Sequence, residues 1–297
     1  MKIYLISFVV DGFSLFLNKI PPVFLKVFVK GMVFFWYWCV PFRVNLILDN
    51  LRKAYPEKSE KEIKRLVQKN LCHYIFLCLE FIQLRTLSLE EFKKRVVIEN
   101  REIFYEAQKE NKGILILTAH LGNFEWLAAV TPLYEIPLHI IVRRIKSEVF
   151  EHLISRQRKK VGLGLIEPKH SLHHILNLLS KNKVVGFIFD QHRSPPGGVY
   201  VDFFNRPAAT TKGLAALVER SNAIVLPAYS YRTDLGQMVL KLAPPIVYKR
   251  VGTHEENIYT NTQAYSHAIE QMVREHPEQW FWIHRRWKGH PETSFSH

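Results

Sequence analysis

The stretch Gly113-Ile-Leu-Ile-Leu-Thr-Ala-His-Leu-Gly-Asn-Phe-Glu125 decides the fold. Its apolar run, 113–118, is short and continuous, the pattern of a strand buried on both faces of a parallel sheet. Asn123 then offers a capping side chain for a following helix, so His120 falls on a strand-to-helix turn. On that turn His120 and Glu125 stand five positions apart. Such a pair can deprotonate an alcohol, with Glu125 fixing the imidazole tautomer and steadying the imidazolium as His120 takes the proton. The same spacing also suits a satisfied structural histidine, so the surrounding sequence has to decide between the two.

Outward from this turn, short apolar runs at 96–98, 138–143, 184–189 and 223–229 alternate with amphipathic stretches at 101–110, 123–134, 147–160, 171–181 and 211–221. Strand and helix in alternation predict an α/β fold with a mixed, largely parallel central sheet flanked by helices. Ligands of such sheets gather outside the carboxyl ends of the strands, where Asp190 follows the run 184–189 much as His120 follows 113–118. Two strand ends are thus expected to share one site. Residues 191–198, with Pro195-Pro-Gly-Gly198, read as a loop bordering it. Upstream, residues 43–95 form a polar helical approach in which Ser59 with Glu62 and Ser88 with Glu91 give capping-box helix starts.

The 297-residue chain is 47% apolar, enough for one α/β domain, taken as 96–290, plus an N-terminal extension. Its three cysteines, Cys39, Cys72 and Cys78, are odd in number and lack metal-site spacing, which argues for a reduced compartment and against a disulfide framework or zinc. Forty-one basic against 27 acidic side chains give a net charge of +14, so the partner carries negative charge: nucleic acid, anionic lipid and an acidic carrier protein all qualify. Residues 1–42 favour lipid. The stretches 4–17 and 23–40 are rich in Leu, Ile, Val, Phe and Trp, yet Asp11, Lys26 and Lys30 interrupt them, which fits a tilted or interfacial anchor better than a clean span. A pair of buried core helices is the alternative.

With these residues in view, Thr118-Ala-His-Leu-Gly-Asn-Phe-Glu125 resembles the His-x4-Asp/Glu signature of the glycerolipid acyltransferase superfamily, specifically its lipid A biosynthesis acyltransferase branch. Further blocks agree in order: Ile141-Val-Arg143, Asp190-Gln191, Phe203-Phe-Asn-Arg-Pro-Ala-Ala-Thr210, Val225-Leu-Pro227 and His276-Pro-Glu-Gln-Trp-Phe-Trp-Ile-His-Arg-Arg286. Arg43-x-Asn45, Asn50-Leu51 and Tyr55-Pro56 extend the likeness weakly toward the N-terminus. One departure is Asn205 where glycine is common, a change asparagine tolerates in a left-handed conformation. Another is Arg144 where proline often follows the strand arginine.

The resemblance implies transfer of a fatty acyl chain from an acyl thioester, with acyl-acyl carrier protein as the expected donor, to a hydroxyl of an anionic lipid A precursor. The implied location is the cytoplasmic face of a bacterial inner membrane, with no cofactor and no metal. It assigns His120 as general base, Glu125 as its partner, Arg158 as a catalytic-site cation and Asp190 as a required carboxylate. Arg143, Gln191, Arg206, His284, Arg285 and Arg286 are the expected substrate contacts, a guanidinium being suited to phosphate oxygens. Arg156, Lys159 and Lys160 beside Arg158 also fit a solvated basic helix face. The segment 280–288, with its tryptophans and cations, suits either a headgroup-level surface or a wall of the site. His170, His173 and His174 read as surface residues without metal partners. An acyltransferase acting on another glycolipid or lysolipid shares these motifs. A noncatalytic membrane- or nucleic-acid-binding protein would use the same charge without needing His120, although no nucleic-acid motif accompanies it and no such partner is expected.

Overall fold

A computed structural model describes residues 2–130, 138–142, 145–167, 171–234 and 236–289. Two N-terminal helices, α1 (Lys2–Lys19) and α2 (Pro22–Trp38), meet at Pro21 and Pro22, where missing N–H donors stop the first helix and preset the start of the second. Then come α3 (Val44–Ala54), α4 (Glu60–Gln83) and α5 (Leu89–Arg95). Both expected capping boxes form: Ser59 with Glu62 opens α4, and Ser88 with Glu91 opens α5.

The α/β part follows as β1 (Val96–Glu99), α6 (Arg101–Lys109), β2 (Ile114–Thr118), α7 (Phe124–Ala129), β3 (Leu138–Ile141), α8 (Glu148–Lys160), β4 (Gly164–Ile166), α9 (Ser171–Ser180) and β5 (Val184–Ile188). The chain continues through β6 (Gly198–Asp202), β7 (Pro207–Thr211), α10 (Gly213–Ser221), β8 (Ile224–Arg232), β9 (Met238–Leu242) and α11 (His254–Glu275). Seven strands make one sheet in the order β1-β9-β8-β2-β5-β3-β4, and β6 and β7 form a separate antiparallel pair. Neighbours run parallel except β8 and β9, so β1 and β9 oppose the other five strands. The expected mixed, largely parallel sheet is therefore present.

Alternation along β2 splits the apolar core in two. Leu115 and Leu117 face a large cluster with Ile47 and Leu51 of α3, Val67 and Leu71 of α4, and Tyr265 and Ile269 of α11. Ile114 and Ile116 face the opposite cluster, which includes Phe104 of α6, Ala128 of α7, Leu138 and Val184. Trp280 and Trp282 lie in the first core at 1% and 0% exposure, so these two rings are not the headgroup-level anchors the sequence suggested. Asn70 explains their placement, since its amide donates to the Glu278 and Trp280 carbonyls at 2.9 and 2.8 Å. Asn50 does the same for the Trp282 and His284 carbonyls at 2.6 and 2.9 Å.

The first two helices are not buried core helices. Their outer faces expose Tyr4, Phe8, Phe16, Phe24, Phe28 and Trp38, with Phe8 at 76%. No helix among the described residues is by itself long and apolar enough to cross a membrane; α1 and α2 meet that test only together, by length and composition, and are bent by 115° at their junction.

Candidate active site

The register of β2 with β5 assembles the site. Thr118 lies opposite Ile188, and Phe189 N–H donates to the Thr118 carbonyl at 2.9 Å. His120 and Asp190, each two residues further on, therefore emerge side by side. His120 N–H donates to Asp190 Oδ2 at 2.9 Å, and His120 Nδ1 lies 2.8 Å from Asp190 Oδ1. Trp280 Nε1–H donates to Oδ2 at 2.8 Å, giving the buried carboxylate three donors. A carboxylate only accepts, so Nδ1 carries the hydrogen and Nε2 keeps a lone pair. Gln191 Nε2 stands 3.4 Å from that nitrogen.

Glu125 does not occupy the position expected of it. It is Asp190, 70 residues from His120, that holds Nδ1, while Glu125 forms a two-pronged pair with Arg158: Nη2 to Oε1 at 2.5 Å and Nε to Oε2 at 3.2 Å. The reason is local geometry. Glu125 lies in the first turn of α7, with its carboxylate turned to the last turn of α8, where Arg158 also complements the helix dipole. The basic run on α8 is thereby sorted: Arg158 meets Glu125, Arg156 reaches Ser7, and Lys160 donates to the Arg85 carbonyl.

Electrostatics follow from these contacts. Burial disfavours the His120 imidazolium, but the charge and hydrogen bond of Asp190, with a further contribution from Glu125, outweigh it and raise the pKa above the ordinary histidine value. For Asp190, burial works against ionisation, and His120 with the Trp280 indole reverses this, holding the carboxyl below its usual range.

The turn itself is held rigidly. Gly122 has φ +57°, and a Cβ there would meet the Ser230 carbonyl oxygen at 1.9 Å, so glycine alone fits. Asn123, wholly buried, caps α7 by accepting from Trp126 N–H at 3.3 Å and donates to Glu80 Oε2 at 2.9 Å. Arg232 clamps Glu80 through both carboxylate oxygens. Asn123→Ala removes the cap and leaves Glu80 short of a buried donor, so the protein is expected to lose about 2–4 kcal/mol in urea unfolding. A loss below about 0.5 kcal/mol would show that the network does not hold the turn.

His120 opens on a cavity of about 930 Å³ lined also by Glu125, Arg158 and Gln191. Its body is apolar, with Ile116, Leu127, Leu138, Ile140, Val184 and Leu240 among the walls. The Phe124 and Phe281 rings flank the imidazole at 5.1 and 5.6 Å, Phe124 within the cavity lining and Phe281 outside it.

Other expected contacts lie elsewhere. Arg143 is outside the described residues, as are Arg144 and His170. His173 and His174 are exposed on α9. Arg206 is exposed and donates to the Lys53 carbonyl, away from the cavity lining, because Phe204 and Asn205 turn the chain through left-handed conformations at φ 56° and 54°. Arg286 is corrected from substrate contact to structural residue. It is 1% exposed, lies over the Phe203 ring and donates to Ala209 O and Thr210 Oγ1; burial lowers its pKa to about 10. His284 likewise serves the fold, accepting from His192 N–H at 3.1 Å. Arg285 is exposed and absent from the cavity lining. Sequence reasoning missed Glu80 and Arg232, whose separations from Asn123 leave no local pattern, and missed the indole of Trp280 as a donor to Asp190.

An imidazole held at Nδ1 by a buried carboxylate, at the lip of an apolar cavity of about 930 Å³ on an α/β sheet, is an arrangement able to accept a proton beside an apolar group. Comparison with known proteins agrees. The family model for bacterial lipid A biosynthesis acyltransferases matches residues 1–289, and the chain belongs to that family. It is 24% identical over 251 residues to the lipid A biosynthesis palmitoleoyltransferase of Escherichia coli K12, covering 84% of this chain and 80% of that protein. It is 24% identical over 257 residues to the lauroyltransferase of the same organism, with the same coverage. A lipid A biosynthesis acyltransferase of Haemophilus influenzae is 20% identical over 235 residues, covering 79% of this chain and 72% of the relative. The protein is accordingly an acyltransferase of lipid A biosynthesis.

Proposed function

We propose that this chain moves a fatty acyl group from an acyl-acyl carrier protein thioester to a hydroxyl of a lipid A precursor, working at the cytoplasmic face of a bacterial inner membrane. The observation that carries this reading is the hold of Asp190 on His120 Nδ1, which leaves Nε2, faced by the Gln191 amide, as the basic nitrogen at an apolar cavity. Nε2 takes the acceptor hydroxyl proton as the oxygen attacks the thioester carbonyl. The tetrahedral intermediate collapses with cleavage of the C–S bond, and the imidazolium returns its proton to the departing thiolate. Arg158, held by Glu125, supplies positive charge beside the developing oxyanion. The fatty chain lies along the apolar walls.

The bent α1–α2 pair is the membrane anchor in this reading. Its exposed aromatic and aliphatic face sinks into the headgroup boundary, and the +14 net charge favours an anionic surface. The test is acyl transfer from carrier-protein thioesters to a lipid A precursor in mixed micelles. Product formation by the wild type supports the reading. No transfer to this acceptor by folded protein, together with transfer to a lysolipid, would move the acceptor to another lipid class.

A further inference from the structure

Helix α1 carries a polar stripe that an anchor does not need. Ser7, Asp11, Ser14 and Asn18 recur at helical spacing on one face, opposite the exposed apolar side chains. Polar groups facing hydrocarbon are costly, and here each instead meets this chain. Ser14 Oγ donates to the Ile82 carbonyl at 2.6 Å, and Asn18 Nδ2 donates to the Gln83 carbonyl at 3.0 Å. Asp11 accepts from Arg85 Nε at 2.8 Å and faces Arg156 at 3.6 Å, and Ser7 accepts from both Arg85 and Arg156 at 3.1 and 2.7 Å.

Arg85 is the junction of three elements. Its side chain is 4% exposed; Nε and Nη2 engage α1, and Nη1 donates to the Leu153 carbonyl on α8 at 3.2 Å. Lys160, at the end of α8, donates back to the Arg85 carbonyl at 2.8 Å, and Gln157 donates to the Phe81 carbonyl at 3.2 Å. Between these attachments lies Arg158, the cavity residue paired with Glu125. Loss of the Asp11 charge would leave the Arg85 guanidinium buried and without its only acidic partner among the described residues.

We propose that the N-terminal helix is part of the catalytic apparatus, with Asp11 and Arg85 as positioning residues that hold α8 and thereby register Arg158 against Glu125 beside His120. The proposal rests on the acyl-transfer reading above and adds to it that lipid anchorage and site geometry share one joint.

Asp11→Asn is expected to lower kcat by about tenfold or more, with KM for the thioester within about twofold, because a small misplacement of a catalytic group acts on rate more than on binding. Flotation with anionic vesicles stays at the wild-type level, since the exposed apolar face is unchanged. In an Arg158→Ala background the same substitution costs almost nothing further, the non-additivity expected of residues acting as one unit. Amide hydrogen exchange across residues 148–160 quickens whether or not the assay substrate is right. The double variant Asp11→Leu with Arg85→Met removes both charges and so avoids a lone buried one. It is expected to stay folded and vesicle-bound yet slow. Unchanged kcat, unchanged exchange, full additivity with Arg158→Ala, or loss of vesicle binding in Asp11→Asn would each overturn the proposal. If the wild type fails to acylate lipid A, the acceptor assignment falls, while the exchange measurement still judges the joint.

Discussion

His120→Ala is expected to lower kcat by on the order of 10²–10⁴-fold, the span that positioned proton transfer contributes, with little change in KM for the thioester. The imidazole offers Nε2 as a basic nitrogen at the cavity, with only a long contact to the Gln191 amide, while its other nitrogen is held by Asp190. Vesicle binding should stay near wild type, whereas stability should fall by about 1–3 kcal/mol, because buried Asp190 keeps the His120 N–H and Trp280 indole on one oxygen but loses the donor to the other. His120→Gln is the companion variant: it keeps volume and polarity but has no basic nitrogen, and it should be as slow. Single-turnover rates with carrier-protein thioester measure this. A residual rate above about one tenth of wild type would remove the imidazole from the proton-transfer step.

Asp190→Asn is expected to cost on the order of 10²–10⁴-fold for a different reason, a reversed tautomer. One oxygen of Asp190 accepts from two donors, His120 N–H and the Trp280 indole, and the other accepts from Nδ1. An asparagine can satisfy the first two only with its carbonyl, which turns its NH₂ toward Nδ1. The imidazole then moves its hydrogen to Nε2, and the base facing the cavity is gone. The pH profile adds a sign. With His120 as the base, active only when neutral, kcat/KM is expected to rise as pH passes upward through its pKa, with that limb displaced above the ordinary histidine value because Asp190 and Glu125 favour the imidazolium. In Asp190→Asn the residual activity should show its limb at lower pH. An unmoved limb would mean that the ionisation observed belongs to another group.

Much of the fold was legible in one chain. The runs at 113–118 and 184–189 became adjacent parallel strands, both serine capping boxes formed, and Asn205 adopts the left-handed conformation that asparagine tolerates in place of glycine. Helix α11 and strand β9 were not anticipated. In α11 Ile258, Tyr265, Ile269 and Val273 recur at helical spacing, but the same buried face carries Asn257, Asn261, Ser266 and Glu270, which hydrogen-bond to neighbouring loops and strands, so polar residues interrupt the apolar stripe. The apolar character of residues 2–38 was visible in composition, whereas the contact made by Asp11 was not: its partner Arg85 lies 74 positions away.

The division within the site follows distance along the chain. Sequence by itself determined the local parts: the strand, the cap at Asn123 and the presence of His120 beside a helix start, because each depends on residues a few positions apart, whereas the need for glycine at 122 comes from the Ser230 carbonyl of a distant strand. Which carboxylate would hold the imidazole was decided only by the tertiary structure. Glu125 is near in sequence but faces α8, whereas Asp190 is brought to Nδ1 by the pairing register of β2 and β5, a relation between backbones that no spacing along the chain encodes.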